Sequence, residues 1–432
     1  MSGSPGCFWQ SPRMSATSTA GMCLPPPARI TSIDALRGFV MFMMIFVNDL
    51  AGAPEKIVPN WMCHFSDRHP ENSSGMTFVD LVFPGFLFLV GMSIPFALGS
   101  RLNRGEPAWK ILGHVTTRTL ALLALGILMV NGESGGTALW AATMFLSGVF
   151  AFCQITPRNP KPETAVFWKQ FNLVVRGLGF LGMLYSALAF RSRHGQRMLT
   201  LWPFHLNTDW YGILGLIGWA YLAASVLFLI FRTQRTALLG CVALMTCFFA
   251  ADKHHFFDHF WPAQFVDFGG TLGSQAAITV AGLLLATILV TPDTATVQAR
   301  VRFTALFVLS FAFAALLLKG LYGISKNQAT PAWCLWSCAI TGALWLGFYF
   351  FCDVKPLPLI ARPLAVAGQN VLLAYLLSEM QGSVFSLLHL GDWYDGLAQA
   401  NLAAAITRSA GCGVVILLIT TGLNRAGFRL KL

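Results

Sequence analysis

Apolar residues along this 432-residue chain fall in long unbroken runs, without the alternation of a half-buried strand or the one-sided spacing of a soluble helix. Twelve such runs stand out, at 32–52, 78–100, 108–130, 137–155, 170–190, 209–231, 235–251, 270–291, 299–319, 331–352, 364–388 and 401–423. The hydrocarbon core of a bilayer is about 30 Å thick and takes roughly 20 apolar helical residues to cross. The pattern therefore predicts an all-α polytopic membrane protein, a bundle of about 11–12 transmembrane helices filling residues 29–432. Residues 1–28 are rich in Pro, Ser and Gly and lack the apolar core of a cleaved signal peptide; they read as a disordered N-terminal tail.

Polar residues interrupt the runs at a few places. The stretch from Arg29 to Leu98 reads RITSIDALRGFVMFMMIFVNDLAG, then a loop containing WMCHFSDRHPENSSG, then MTFVDLVFPGFLFLVGMSIPFAL. Asn48 and Asp49 end the first run, Asp80 opens the second, and the loop between them carries His64 and His69. An ionisable or amide group at membrane depth is costly without a partner, so each is a functional hypothesis by default. Thr31-x-x-Asp34 and Thr77-x-x-Asp80 also fit a capping box, which gives both aspartates a structural role, with Arg37 one turn on as the partner of Asp34. Arg118, Arg176, Asn370 and Glu379 are further polar groups inside apolar runs; the arginines fit either snorkelling to the interface or phosphate binding.

Composition sharpens the class. Hydrophobic residues make up 55% and charged residues 11%, and the mean hydropathy is +0.62. Soluble domains carry roughly 25% charged residues, so a soluble enzyme is excluded. The net charge of +11 follows from Lys and Arg gathering in cytoplasmic loops and is no argument for nucleic acid. With both termini cytoplasmic most basic loops agree; Arg191, Arg193 and Arg197 fall on the other side. The loop with both histidines then faces outward. The ten cysteines are scattered, mostly inside apolar runs, and lack a zinc-site spacing. Asp252-Lys-His-His-Phe-Phe-Asp258-His259 lacks the HExxH pattern and reads as a solvated loop, so no metal is expected.

A histidine at a membrane–water boundary suits general-base work, because its ordinary pKa of about 6.5 leaves the neutral form available. Asp80 could orient the ring, and Asn48 could donate to a developing oxyanion. Those groups suffice for acyl transfer from a thioester to an amine or hydroxyl.

The block RITSIDALRG…VN, the His-bearing loop and GMTFVDLVFPGFLFLVGMSIP resemble the heparan-α-glucosaminide N-acetyltransferase family and its bacterial DUF5009-type relatives. Arg118 to Asn131, Arg176 to Tyr185, Ser325-Lys326-Asn327 and Gly368-x-Asn370 with Tyr375 and Glu379 continue the resemblance in order. It implies a multi-pass acetyl-CoA-dependent N- or O-acetyltransferase. Such an enzyme takes the acetyl group from cytoplasmic acetyl-CoA and passes it to an amino sugar or glycan hydroxyl on the periplasmic or luminal side. By the same resemblance His64 or His69 is the general base or transient acetyl acceptor, beside Asn48 and Asp80. Arg118, Arg176, Lys326, Asn327 and Asn370 are then the donor-binding residues. The compact form implies a bacterial inner-membrane enzyme, with a homodimer as a candidate assembly. The alternative class is a multi-pass secondary transporter of a small polar solute, although the two halves show no convincing internal repeat.

Overall fold

The computed structural model describes residues 30–68, 74–133, 136–157, 162–191, 195, 197–202, 204–206 and 211–432; the N-terminal tail and His69 lie outside the described residues. Its helices are α1 (Thr31–Leu50), α2 (Phe65–Arg68), α3 (Val82–Asn103), α4 (Ala108–Glu133), α5 (Ala138–Phe152), α6 (Ala165–Ala189), α7 (Gly212–Phe231) and α8 (Arg235–Lys253). They continue with α9 (Ala276–Val290), α10 (Val297–Tyr322), α11 (Pro331–Tyr349), α12 (Pro358–Ala367), α13 (Val371–Leu387), α14 (Gly391–Gly396) and α15 (Leu402–Arg425). Two short antiparallel ladders complete it: β1 (Cys153–Ile155) with β4 (Phe428–Leu430), and β2 (Leu199–Leu201) with β3 (Phe204–Leu206).

Among the described residues each predicted apolar run is mostly helical, and the protein is an all-α, multi-pass membrane protein. Among the described residues nine helices are long and apolar enough to cross a membrane, while α5 and α13 are shorter apolar helices. The 20 residues of α1 carry Asp34, Arg37 and Asp49 within their apolar sequence. The eleventh run is broken at Gly368–Asn370, between α12 and α13.

Burial ranks the helices. The span Phe268–Val290, which ends in α9, is 83% buried inside the protein, whereas α6, α8 and α10 are each 22% buried and present apolar faces outward. Helices in a bilayer gain little from burying apolar side chains against one another, so close backbone approach matters more. Small residues supply it between α3 and α9, where a Cβ at Gly91 would strike the Thr279 carbonyl and one at Gly282 the Phe88 carbonyl. Gly38 and Gly368 do the same between α1 and α12, against the carbonyls of Leu364 and Asp34.

The expected capping box at Thr31 is not formed. The helix-opening N–H groups of Thr31 and Ser32 donate instead to the Asp353 carboxylate (3.0 and 3.2 Å), while Asp34 pairs with Arg37 at 3.2 Å. At the other end of α1, Asp49 is the hub of a buried network. It accepts from Tyr394 Oη (2.6 Å), Ser409 Oγ (2.6 Å) and Arg408 Nε (3.1 Å), which joins α1 to α14 and α15. Arg408 also donates from Nη2 to the Asp49 carbonyl at 2.7 Å and is only 2% exposed.

Asp49→Ala leaves that guanidinium buried without its carboxylate, which costs on the order of 3–5 kcal/mol. Thermal unfolding in detergent is expected to show a clear fall in Tm for Asp49→Ala and a much smaller one for the more exposed Asp395→Ala. Equal melting of the two variants would contradict the network's role.

Candidate functional site

The site begins where the loop after α1 meets the start of α3. The Asp80 carboxylate, 1% exposed, accepts from the backbone N–H of Thr77 (3.0 Å) and of Phe65 (3.1 Å) at Oδ2. The first contact is half of the capping box that the sequence predicts. The other half is absent, because Asp80 N donates to the Thr77 carbonyl (3.2 Å) instead of the Thr77 hydroxyl, which itself donates to the Cys63 carbonyl at 2.7 Å. The remaining oxygen, Oδ1, lies 2.7 Å from His64 Nδ1. A carboxylate facing Nδ1 assigns the proton to that nitrogen and leaves the Nε2 lone pair free.

A second loop, between α10 and α11, closes over the ring. Gly75 N donates to the Ile324 carbonyl (3.0 Å), and Ile324 N donates to Ser74 Oγ (2.7 Å), so the two loops are tied together just before Lys326. Lys326 Nζ then sits 3.2 Å from both His64 Nδ1 and Nε2. An in-plane hydrogen bond would be short to one ring nitrogen and long to the other, so the ammonium sits over the face of the ring and claims neither lone pair. Burial pushes the Lys326 ammonium below the ordinary lysine range, and the charges of Asp80 and Asp67 pull the other way. Trp333, opening α11, donates its indole N–H to the Asp80 carbonyl at 3.2 Å.

His64 and Lys326 line a cavity of about 660 Å³ together with Asn48, Asn327, Tyr211, Asp267 and Trp333. Asn48 Nδ2 donates to Glu379 Oε1 at 3.3 Å. Asp267 caps a π-helical turn (Phe268–Gln275) through Gly269 N and Gly270 N at 2.8 and 3.0 Å. Wide turns of this kind recur at functional sites.

A second cavity, of about 510 Å³, occupies the other end of the bundle and is basic. Arg37, Arg101, His114, Arg118, Asn370 and Lys431 line it. Arg118 stacks over Tyr221 (4.7 Å to the ring centre), and its buried Nε has no hydrogen-bond partner among the described residues. Such an orphaned donor fits an anion that the cavity is shaped to receive. Asn370 also fixes the cavity wall, accepting from Leu430 N at 3.2 Å and donating to the Phe428 carbonyl at 3.4 Å.

Both cavities are lined by Met44 and Ile213. Helix α1 runs along both, with Arg37 at the basic end and Asn48 at the histidine end, eleven residues or about 16 Å apart along the axis. Helix ends alternate accordingly. Arg101 and Arg118 from the junction of α3 and α4 are at the basic end, while Tyr211, Asp267, Lys326 and Trp333 from later junctions are at the histidine end.

The placements separate the expected residues. Asn48, His64 and Asp80 come together, and Arg118 and Asn370 share the basic cavity. Lys326 and Asn327, expected among the donor-binding residues, line the histidine cavity instead. Arg176, on α6, donates from Nε to the Ala151 carbonyl at 3.2 Å and lines neither cavity. Arg101, His114, Lys431 and Asp267 were not singled out as site residues from the sequence.

Fold and site thus define a multi-pass helical membrane protein with a His–Asp–Lys cluster around the buried Asp80 carboxylate and a basic cavity toward the other end of the bundle. The family described as "Domain of unknown function (DUF5009)" matches residues 29–138. Heparan-alpha-glucosaminide N-acetyltransferase of Homo sapiens is 34% identical over 105 residues, and its Mus musculus counterpart is 34% identical over 103 residues. Each match spans 24% of this chain and 14% of the relative. The DUF5009 match runs across α1, the histidine loop, α3 and α4.

The cluster makes a direct prediction about the His64 tautomer. In Asp80→Asn the two backbone donors anchor the amide oxygen at the Oδ2 position and turn the NH₂ group toward Nδ1. Nitrogen-15 NMR of labelled histidine is expected to show Nδ1–H in the native protein and Nε2–H in the variant. The same tautomer in both would contradict the assignment.

Proposed function

We propose that the protein is a membrane-embedded acetyltransferase that moves an acetyl group from acetyl-CoA, bound at the basic end, to an amine or hydroxyl of a glycan at the histidine end. The observation that carries the reading is that Met44 and Ile213 line both cavities, which supports a path along which an elongated donor places its phosphates among arginines and its thioester near His64. The names of the two relatives support an acetyl transfer. The many Lys and Arg residues at the basic end favour a cytoplasmic face there, with both chain ends on that side of a bacterial inner membrane.

In this reading the acceptor enters the histidine cavity with its N–H or O–H on His64 Nε2. The acceptor heteroatom attacks the thioester carbonyl carbon as His64 takes its proton. Asp80 holds the ring and stabilises the imidazolium that forms. Asn48 donates to the carbonyl oxygen as it gains charge. The C–S bond then breaks, and the leaving thiolate receives the proton from His64. No metal is needed for this sequence of steps.

Purified protein with radiolabelled acetyl-CoA and a panel of amino sugars tests the proposal. Transfer is expected, with a loss of about 10²–10⁴-fold in His64→Ala. Absence of transfer to every acceptor, an undiminished His64→Ala enzyme, or uptake of sugar into proteoliposomes without donor would contradict it.

Donor binding has its own test. A charge-assisted hydrogen bond contributes about 1.5–3 kcal/mol. Arg118→Ala is therefore expected to weaken CoA binding by roughly 10–100-fold in titration calorimetry, at about 1.4 kcal/mol per tenfold. Arg176→Ala, whose guanidinium lines neither cavity, is expected to leave it unchanged.

A further inference from the structure

We infer that Lys326 is a catalytic residue that stabilises the oxyanion formed when the acyl group is attacked beside His64. The inference rests on the acyl-transfer reading above and adds a group that the sequence assigns to the donor instead. Three observations converge on it. Lys326 Nζ lies within 3.2 Å of both ring nitrogens, so any atom that reacts at the imidazole is also within reach of the ammonium. Lys326 forms no ion pair with a carboxylate among the described residues, since the Asp80 oxygen nearest the cluster faces His64 and the other faces two backbone donors. The loop that carries Lys326 is tied to the histidine loop by the contacts of Ser74 and Gly75 with Ile324, which bring the side chain over the ring.

A half-buried cation without a carboxylate is costly, and its neutralisation by a transient anion recovers that cost at the moment the anion appears. Burial, the largest influence, holds the Lys326 ammonium below the ordinary lysine range, and the charges of Asp80 and Asp67 only partly offset it. The step balances without any further reagent. As the acceptor's lone pair forms the new bond to carbon, the carbonyl π pair moves to oxygen, and Lys326 and Asn48 donate to it. When that pair returns and the C–S bond breaks, Lys326 is left with all of its protons. The face-on contact matters, because it leaves Nε2 open to the acceptor.

The expected signature separates this role from donor binding. Lys326→Met is expected to lower kcat by about 10²–10³-fold, the usual loss for one oxyanion donor, with little change in KM for acetyl-CoA. The groups around His64 are Asp80 at the start of α3, Asp67 and Arg68 on α2, Lys326, Asp267 before the π-helical turn, Tyr211 before α7, and Glu379 through Asn48. In Lys326→Ala, added ethylammonium is expected to restore part of kcat.

Wild-type kcat in Lys326→Met, or a raised donor KM with kcat unchanged, would overturn the inference. If Lys326→Met does not fold, Lys326→Gln is read by the same rule: a loss of tenfold or more in kcat supports the role, and wild-type kcat overturns it. A native protein that transfers no acetyl group fails the underlying function, whereas an active native protein with an equally active Lys326 variant fails this inference alone.

Discussion

One carboxylate organises the histidine end of the molecule. Asp80 sits at 1% exposure where the first loop turns into α3, and its two oxygens satisfy two backbone donors and one imidazole. A buried carboxylate must be matched by donors, and here the donors come from three separate positions in the loop. The same contacts that cap the helix therefore fold the loop, choose the His64 tautomer and fix the ring. The loop so folded then receives the α10–α11 connection through Ser74 and Gly75, which brings Lys326 over the imidazole.

Helix α1 carries this local order through the bundle. Its first turn is capped from a distance by Asp353, its middle packs through Gly38 against α12, and its last turn is pinned by the Asp49–Arg408–Tyr394 network. Those anchors hold Arg37 in one cavity and Asn48 in the other, with Met44 between them. Catalysis by positioning needs that rigidity, because groups misplaced by an ångström lose much of their effect. The least buried spans, α6, α8 and α10, lie at the periphery, where their apolar side chains face the bilayer.

The apolar runs were legible because a span must be apolar along its whole length, a constraint that each segment shows by itself. The break before α13 was not, since it depends on Gly368 meeting the Asp34 carbonyl and on Asn370 bridging to β4. Asn48, His64 and Asp80 were readable as a group because they are close in the chain. Arg118 and Arg176 looked alike as arginines in apolar runs, and what separates them is which helix is central and which is peripheral. The Thr31 cap was misread, and the meeting of Lys326 with His64 was not legible, for one reason: their partners lie 322 and 262 residues away, and no local pattern encodes such contacts. Arg37 was read correctly as the partner of Asp34, but its reach to the Gly368 carbonyl and into the basic cavity is tertiary.

The central claim is that a single donor path joins the basic cavity to the imidazole past Met44 and Ile213. The most direct measurement is an electron cryomicroscopy structure of the protein with a non-hydrolysable thioether analogue of acetyl-CoA. The account predicts phosphate density among Arg37, Arg101 and Arg118, with the thioether end lying between Met44 and Ile213 and facing His64. Density for the analogue outside the bundle, or a chain that turns away from His64 at Met44, would contradict it.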